Sequence, residues 1–467
     1  MPIQEQKSDD HFSLRDESIL PKGESFESVT RSISNGKDAV KGRLAFRLSL
    51  LAALGMVFLL CVAVTHLFIR GIGIFGNNMP SAWGFPIVNF VWWIGIGHAG
   101  TFISAILLIL HQNWRDSINR FAEAMTLVAV LCAAMMPLIH LGRPIVFYWL
   151  IPYPNSMNLW PQFRSPLMWD MFAVGTYGTI SLLFFFVGLI PDMATFRDRA
   201  KSRFGQYFYG AIAGGWRGSA RHWSANKTAY VILAGLATPL VVSVHSIVAL
   251  DFASSILPAW HSEIFPPYFV AGAIYSGFAM VLCISVLLRR IFDFGRYITQ
   301  RHINTMVYVM MSTGLIVAYA YLVEAFIIWY SQNPPEIQVA LDHYTGAAAP
   351  VYWSVIVCNI VIPQILWLRW ARCNSYCVFI VCIIINIGMW LERFLIVVSG
   401  LSRDYLMSSW AEFHPTLWDF ALLLGLLGLF SFCLLLFVRY FPVIPMYELR
   451  SSIFKSKAHP KSSEVLS

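Results

Sequence analysis

Ten apolar runs, each of about 20 residues or more, divide this chain and leave few folds open to it. They lie near 46–69, 86–110, 121–141, 166–190, 228–250, 267–288, 304–330, 350–369, 376–399 and 418–439. A helix of that length crosses roughly 30 Å of hydrocarbon. Inside lipid every backbone N–H and C=O must find a partner within the protein, so a spanning segment of this kind is a helix. With 57% hydrophobic and only 12% charged residues among 467, the chain is predicted to be an all-α integral membrane protein.

Charge placement gives the orientation. Lys and Arg are retained on the cytoplasmic side during insertion. Here they gather at Lys37 to Arg47, at Arg115 and Arg120, from Arg197 to Lys227, from Arg289 to Arg301, at Arg369 and Arg372, and from Arg439 to Lys461. The alternate loops hold only Arg70, Arg143, Arg164 and Arg403. Both termini are therefore expected in the cytoplasm, with the loop between His140 and Asp170 outside. The formal charge of +8 is a topology signal, since the basic residues lie in short loops and form no folded basic domain that would suit nucleic acid. Residues 1–45 are polar and carry no apolar segment, so a cytoplasmic tail is expected there and no cleavable leader.

The remaining organisation follows: 46–85 a first span with its outer loop, 86–250 a first four-helix bundle, 251–399 a second, 400–441 the tenth span and 442–467 a cytoplasmic tail. A faint repeat relates spans two to five to spans six to nine. The fourth span opens Pro166-Leu-Met-Trp-Asp170 and the eighth opens Pro350-Val-Tyr-Trp-Ser354. Both units start from the same face, so their relation is an axis along the membrane normal.

Ionisable groups near a membrane interior are costly and functional by default. His140 ends the third span and Asp170 stands about one turn into the fourth, at the same predicted face. The bland alternative is a structural imidazole and a carboxylate favoured by a helix N-terminus. Asp251 and Arg393 close the fifth and ninth spans, as part of a pocket or as an interfacial ion pair. His98, Glu123, His245 and Glu324 are candidates for a proton path, with helix packing as the alternative. Tryptophans and tyrosines such as Trp92, Trp93, Tyr148, Trp149 and Trp160 read as an interfacial belt.

The eight cysteines show no CxxC, CxxCH or ferredoxin spacing, so no iron–sulfur cluster, covalent haem or structural zinc is expected on this chain. Cys373 and Cys377 read as plain small residues. His66, His98, His111, His140 and His245 do not form the two axial pairs that a di-haem b cytochrome needs. A secondary transporter stays open, because tandem bundles with buried acids also suit that class.

Longer motifs sharpen this. Trp92-Trp-Ile-Gly-Ile-Gly-His98, Asn113-Trp-Arg115, Leu138-Ile-His140-Leu-Gly-Arg143-Pro, Pro152-Tyr-Pro-Asn155 and Ser165-Pro-Leu-Met-Trp-Asp170 occur in the first half. Trp260-His261, Ile264-Phe-Pro-Pro-Tyr-Phe269, Asn386-Ile-Gly-Met-Trp-Leu-Glu392-Arg393 and Leu401-Ser-Arg-Asp404 follow. Together they resemble the NrfD/PsrC-type quinone-interacting membrane proteins, and within them the ActC-type subunits of bacterial alternative complex III.

The resemblance implies two four-helix bundles, a quinol pocket in the first near the outer face, and no cofactor bound by the chain itself. It also implies transfer of electrons to a periplasmic iron–sulfur or molybdopterin-like subunit, then to c-type haem subunits. A homologous ActF-like membrane subunit, and in some assemblies a terminal oxidase, would complete the complex in the bacterial inner membrane. His140 and Asp170 match the family's quinol-site pair, with Asp251 and Arg393 as further pocket residues. A menaquinol or another quinol is the implied substrate, with protons released outward and proton translocation as an added role. A non-catalytic ActF-like anchor is the alternative within the family.

The topology has a direct test. An Ile145→Cys variant is expected to gain labelling by a membrane-impermeant maleimide applied from the periplasmic side, relative to the parent chain. Gain only after permeabilisation would reverse the orientation.

Overall fold

The computed structural model describes residues 25–35, 43–150, 163–292 and 294–451. Most of the polar N-terminal tail, the Pro152–Asn155 motif, Trp160 and the basic residues beyond 451 lie outside the described residues. All regular structure among the described residues is helical. Ten helices there are long and apolar enough to cross a membrane. They are α1 (Leu44–Arg70), α2 (Phe85–Ile109), α3 (Asn119–His140), α4 (Pro166–Arg199), α5 (Ala220–Ala253), α6 (Phe265–Ile291), α7 (Gln300–Ser331), α8 (Ala349–Trp367), α9 (Ser375–Ser402) and α10 (Leu417–Tyr440).

The expected arrangement of two bundles is present. Helix α2 packs on α3, α3 on α4 and α4 on α5, while α6 packs on α7 and α9, and α8 on α9. The bundles meet where α6 lies against α2 and α5. Small residues allow the approach: a Cβ on Gly277 would come within 2.5 Å of Ala99 Cβ and 2.9 Å of the Ile96 carbonyl oxygen. Helix–helix seams in lipid rely on such contacts, because apolar side chains gain little by leaving apolar solvent. Helices α1 and α10 form a separate pair, with Gly425 and Gly428 under Leu60 and Met56. Asp419 anchors the start of α10 by accepting from the backbone N–H groups of Thr416 (2.9 Å) and Gly76 (2.8 Å).

Two spans are longer than their apolar runs, since α4 continues to Arg199 and α5 starts at Ala220. Hydropathy stops at the first cluster of polar residues, whereas the helix continues through them: Asp192 sits buried among Pro191, Met193 and Ala194, and the Ser219 side chain caps α5 by accepting from the His222 N–H. The tryptophan belt needs correction at two positions. Trp92 and Trp93 are buried inside the protein, Trp93 packing on Phe430 with ring centroids 4.8 Å apart. Span two is the inner helix of the assembly, so its aromatic residues face other helices and not the interface.

The repeat extends to local geometry. Helices α4 and α8 both carry proline in the first turn. Trp169 and Trp353 each donate the indole N–H backwards to a main-chain carbonyl, of Phe163 at 2.6 Å and of Tyr344 at 3.1 Å. Wide π-helical turns interrupt α2 at 102–106, α8 at 357–361 and α9 at 395–399. Such turns occur frequently at functional sites.

The seam between the bundles predicts a mutational effect. Gly277→Val is expected to destabilise the protein by about 1–3 kcal/mol through overpacking against α2, read as a lower unfolding midpoint in detergent. Gly55→Ala, whose Cβ meets nothing within 4 Å, serves as the neutral comparison.

Candidate functional site

The site is built where α3 ends, α4 begins and α5 ends. Helix α3 stops after His140 because Gly142 adopts a left-handed φ of 67°, a conformation that suits glycine. A Cβ at Gly142 would also lie 2.7 Å from Ile72 Cβ, so the loop after α1 closes over this turn. That loop carries Trp83, which sequence reasoning did not single out. The Trp83 ring stands 6.2 Å from His140, 6.1 Å from Phe252 and 5.5 Å from Trp260, centroid to centroid.

Asp170 is buried in the first turns of α4, whose start is pinned by the Trp169 bond to the Phe163 carbonyl. Its carboxyl group lies near that of Asp251 from α5, close enough for each to influence the other's protonation. Three atoms here are buried without a hydrogen-bond partner among the described residues: His140 Nδ1, Asp170 Oδ1 and Asp251 Oδ1. Buried polar atoms nearly always have partners, so these three are groups a bound molecule could satisfy, as are His98 Nε2 and both ring nitrogens of His245 deeper in the bundle. No hydrogen bond or ion pair joins His140 to Asp170 among the described residues; the carboxyl partner of Asp170 is Asp251. Accepting one proton removes the repulsion between two adjacent carboxylates, and their titration belongs to the pair.

Arg393 lies elsewhere. It is 2% exposed, its Nη1 is 3.1 Å from Glu392 Oε1, and its guanidinium lies 4.0 Å from the centroid of the Phe269 ring. A Cβ at Gly272 would sit 2.9 Å from Arg393 Nη2, so that glycine makes room for the cation between α6 and α9. Glu392 also accepts from the Tyr321 hydroxyl, and Asn359 Nδ2 donates to that hydroxyl at 3.0 Å. Glu324 lines a cavity beside this cluster.

Apart from Glu324 at that cavity, the candidate proton-path residues fall in two places. Glu123 belongs to a buried ionic cluster near the opposite end, receiving the Tyr230 hydroxyl at 2.8 Å and Arg120 Nη1 at 3.4 Å. Arg120 reaches on to Asp192 at 3.4 Å, and Arg115 pairs with Glu448 at 3.0 Å. His98 and His245 are in edge contact, with ring centroids 4.8 Å apart, and His98 also stacks on Tyr177 at 5.1 Å. The Tyr177 hydroxyl bonds Thr101 at 2.7 Å. Sequence spacing could not show the meeting of His98 with His245, because their helices are far apart in the chain. Among the described residues no group of three or more His, Cys, Asp or Glu side chains converges as a metal site.

Fold and site together define a polytopic helical membrane protein that collects unsatisfied acid and imidazole groups at one end of its first bundle. The chain belongs to the NrfD polysulphide reductase family, whose pattern matches residues 74–403. It is also similar to a Halobacterium salinarum protein described as a membrane component of dimethyl sulfoxide reductase, with 26% identity over 216 residues. That match covers 46% of this chain and 45% of the relative, so the chain spans less than half the length of the curated protein it matches.

Proposed function

We propose that this chain is the quinol-oxidising membrane subunit of a respiratory oxidoreductase, and that His140, Asp170 and Asp251 form its quinol site. The observation that carries the reading is the set of three buried polar atoms without partners among the described residues, at one end of a bundle and beside Trp83. Quinol carries two hydroxyl donors on a flat ring. Two orphaned carboxyl oxygens and an imidazole nitrogen supply acceptors, and the Trp83, Phe252 and Trp260 rings supply an apolar wall.

Oxidation of one quinol to quinone releases two electrons and two protons. The electrons leave to an iron–sulfur cluster of a partner subunit docked over this end, and the protons need bases in hydrogen-bond reach. His140 takes one and the Asp170–Asp251 pair takes the other. With the loop after α3 on the periplasmic side, both protons leave outward. Family membership supports a partner with iron–sulfur or molybdopterin centres. The motif resemblance favours the alternative complex III assembly, with c-type haem subunits, a homologous membrane subunit and inner-membrane residence.

Proton translocation is a second reading, and one observation favours it. Glu123, Thr126, Tyr177, His98 and His245 succeed one another from the Arg120 cluster toward the middle of the protein, and Thr126 Oγ1 bonds the Gly97 carbonyl at 2.7 Å on the way. Such a column of polar side chains is a route for protons as well as a set of helix contacts.

Asp170→Asn, Asp251→Asn and His140→Ala are each expected to lower quinol:acceptor turnover of the assembled complex by about 100-fold or more, with subunit content unchanged. The double Asp170→Asn/Asp251→Asn variant is expected to lose little more than the worse single change, because the carboxyls act as a unit. Turnover at the parent level in all three single variants would remove the proposed site.

A further inference from the structure

The cavity between α6, α7, α8 and α9 is not used by the chemistry above. It lies in the second bundle, at the same end as His140, and has a volume of about 100 Å³ with an opening to the surroundings. Its wall is made of Tyr268, Tyr321, Glu324, His343, Tyr352 and Glu392. The short helix Pro334–Thr345 covers it, held by Arg403 Nε on Asp342 at 2.9 Å and by His343 Nε2 on Ser399 Oγ at 3.2 Å.

We propose that this cavity is a second site for a quinol-type head group, a hydroxylated aromatic ring with an apolar tail, distinct from the His140 site. Four features point there. The cavity is pseudo-symmetric with the first site, since α4 and α8 start alike down to the backward indole bonds of Trp169 and Trp353. It pairs aromatic walls with carboxyl acceptors, the combination that holds a ring and its hydroxyl groups. Glu324 has no ion-pair partner among the described residues and faces the space, whereas Glu392 is already held by Tyr321, Asn359 and Arg393. Two of the three π-helical turns, 357–361 and 395–399, flank it.

The second of those turns has a clear physical role. It leaves the Ile396 carbonyl free to accept the Trp260 indole N–H at 2.7 Å, and Gly400 makes room, since a Cβ there would meet that nitrogen. Trp260 in turn touches Trp83 and Phe252 beside the first site, so one indole stands between that site and this cavity. Burial holds the His343 imidazole down to about 4, so it is neutral near pH 7 and offers a hydrogen bond without charge. Ser354 stands where α4 has Asp170, and its hydroxyl bonds the Pro350 carbonyl at 2.7 Å, so the carboxyls facing this cavity include those of Glu324 and Glu392.

This inference rests on the proposed function only for the class of ligand, and the test separates the two. A photoreactive azidoquinone with a short isoprenoid tail is applied to the purified, assembled complex, and labelled peptides are mapped by mass spectrometry. Labelling is expected in two regions, around 136–172 and around 321–356, both suppressed by excess unlabelled quinone. Glu324→Ala, which removes the acceptor, and Ala340→Phe, which fills the space, are expected to cut labelling of 321–356 at least tenfold. Labelling near His140 stays at the parent level in both and reports that the variants are folded. His140→Ala shows the reverse. Saturating probe that labels only the first region would overturn the second site, as would labelling of 321–356 that unlabelled quinone does not displace but phospholipid does. Labelling confined to 321–356 would sustain the second site and overturn the first.

Discussion

Asp170 and Asp251 come together from two helices of the first bundle, both largely removed from water. A carboxylate in a membrane interior costs on the order of 2.5–3.5 kcal/mol by insertion scales. Two of them side by side also repel. Such a pair is tolerated when one of the two carboxyls carries a proton. Each nearby feature keeps the two together: the proline-started α4, the Trp169 bond that fixes its first turn, and the Gly142 turn that ends α3 at His140.

The same lipid solvent explains the long-range architecture. Apolar side chains do not drive helices together when the surroundings are equally apolar, so close contact falls to glycine and alanine and to buried polar bonds. Gly277 against Ala99, Gly272 under Arg393 and Gly400 under Trp260 are the places where this is most exacting. They lie at the bundle seam or beside the second cavity. The two bundles share a plan and differ in chemistry. The first sets Asp170, Asp251 and the His140 imidazole at its end, and the second keeps an ion-paired Glu392–Arg393 and, at Glu324, a carboxyl without an ion-pair partner among the described residues.

Much of this is legible in the sequence. Ten apolar runs fix the number of spans, and alternating loop charge separates their two ends, because both signals are local and long. Asp170, His140 and Asp251 stand out as ionisable residues at the ends of apolar helices. The choice of partners is not legible. Asp170 meets Asp251 and not His140, and Arg393 turns to Glu392 and Phe269, since facing depends on helix rotation that hydropathy does not encode. Trp83 escapes sequence reasoning because it lies in a loop without periodic signal, and Trp92 and Trp93 mislead it because an inner helix is as apolar as an outer one. The contact of His98 with His245 spans two helices, and only the packed bundle brings it into view.

The central claim is that the orphaned atoms of His140, Asp170 and Asp251 receive a quinol head group. Its most direct test is an electron cryomicroscopy structure of the assembled complex with a tight-binding quinone analogue. The account predicts head-group density within hydrogen-bond reach of His140 Nδ1 and of one Asp170 or Asp251 carboxyl oxygen, against the Trp83 face. A fully occupied analogue bound elsewhere, with those three side chains touching only protein or lipid, would contradict it.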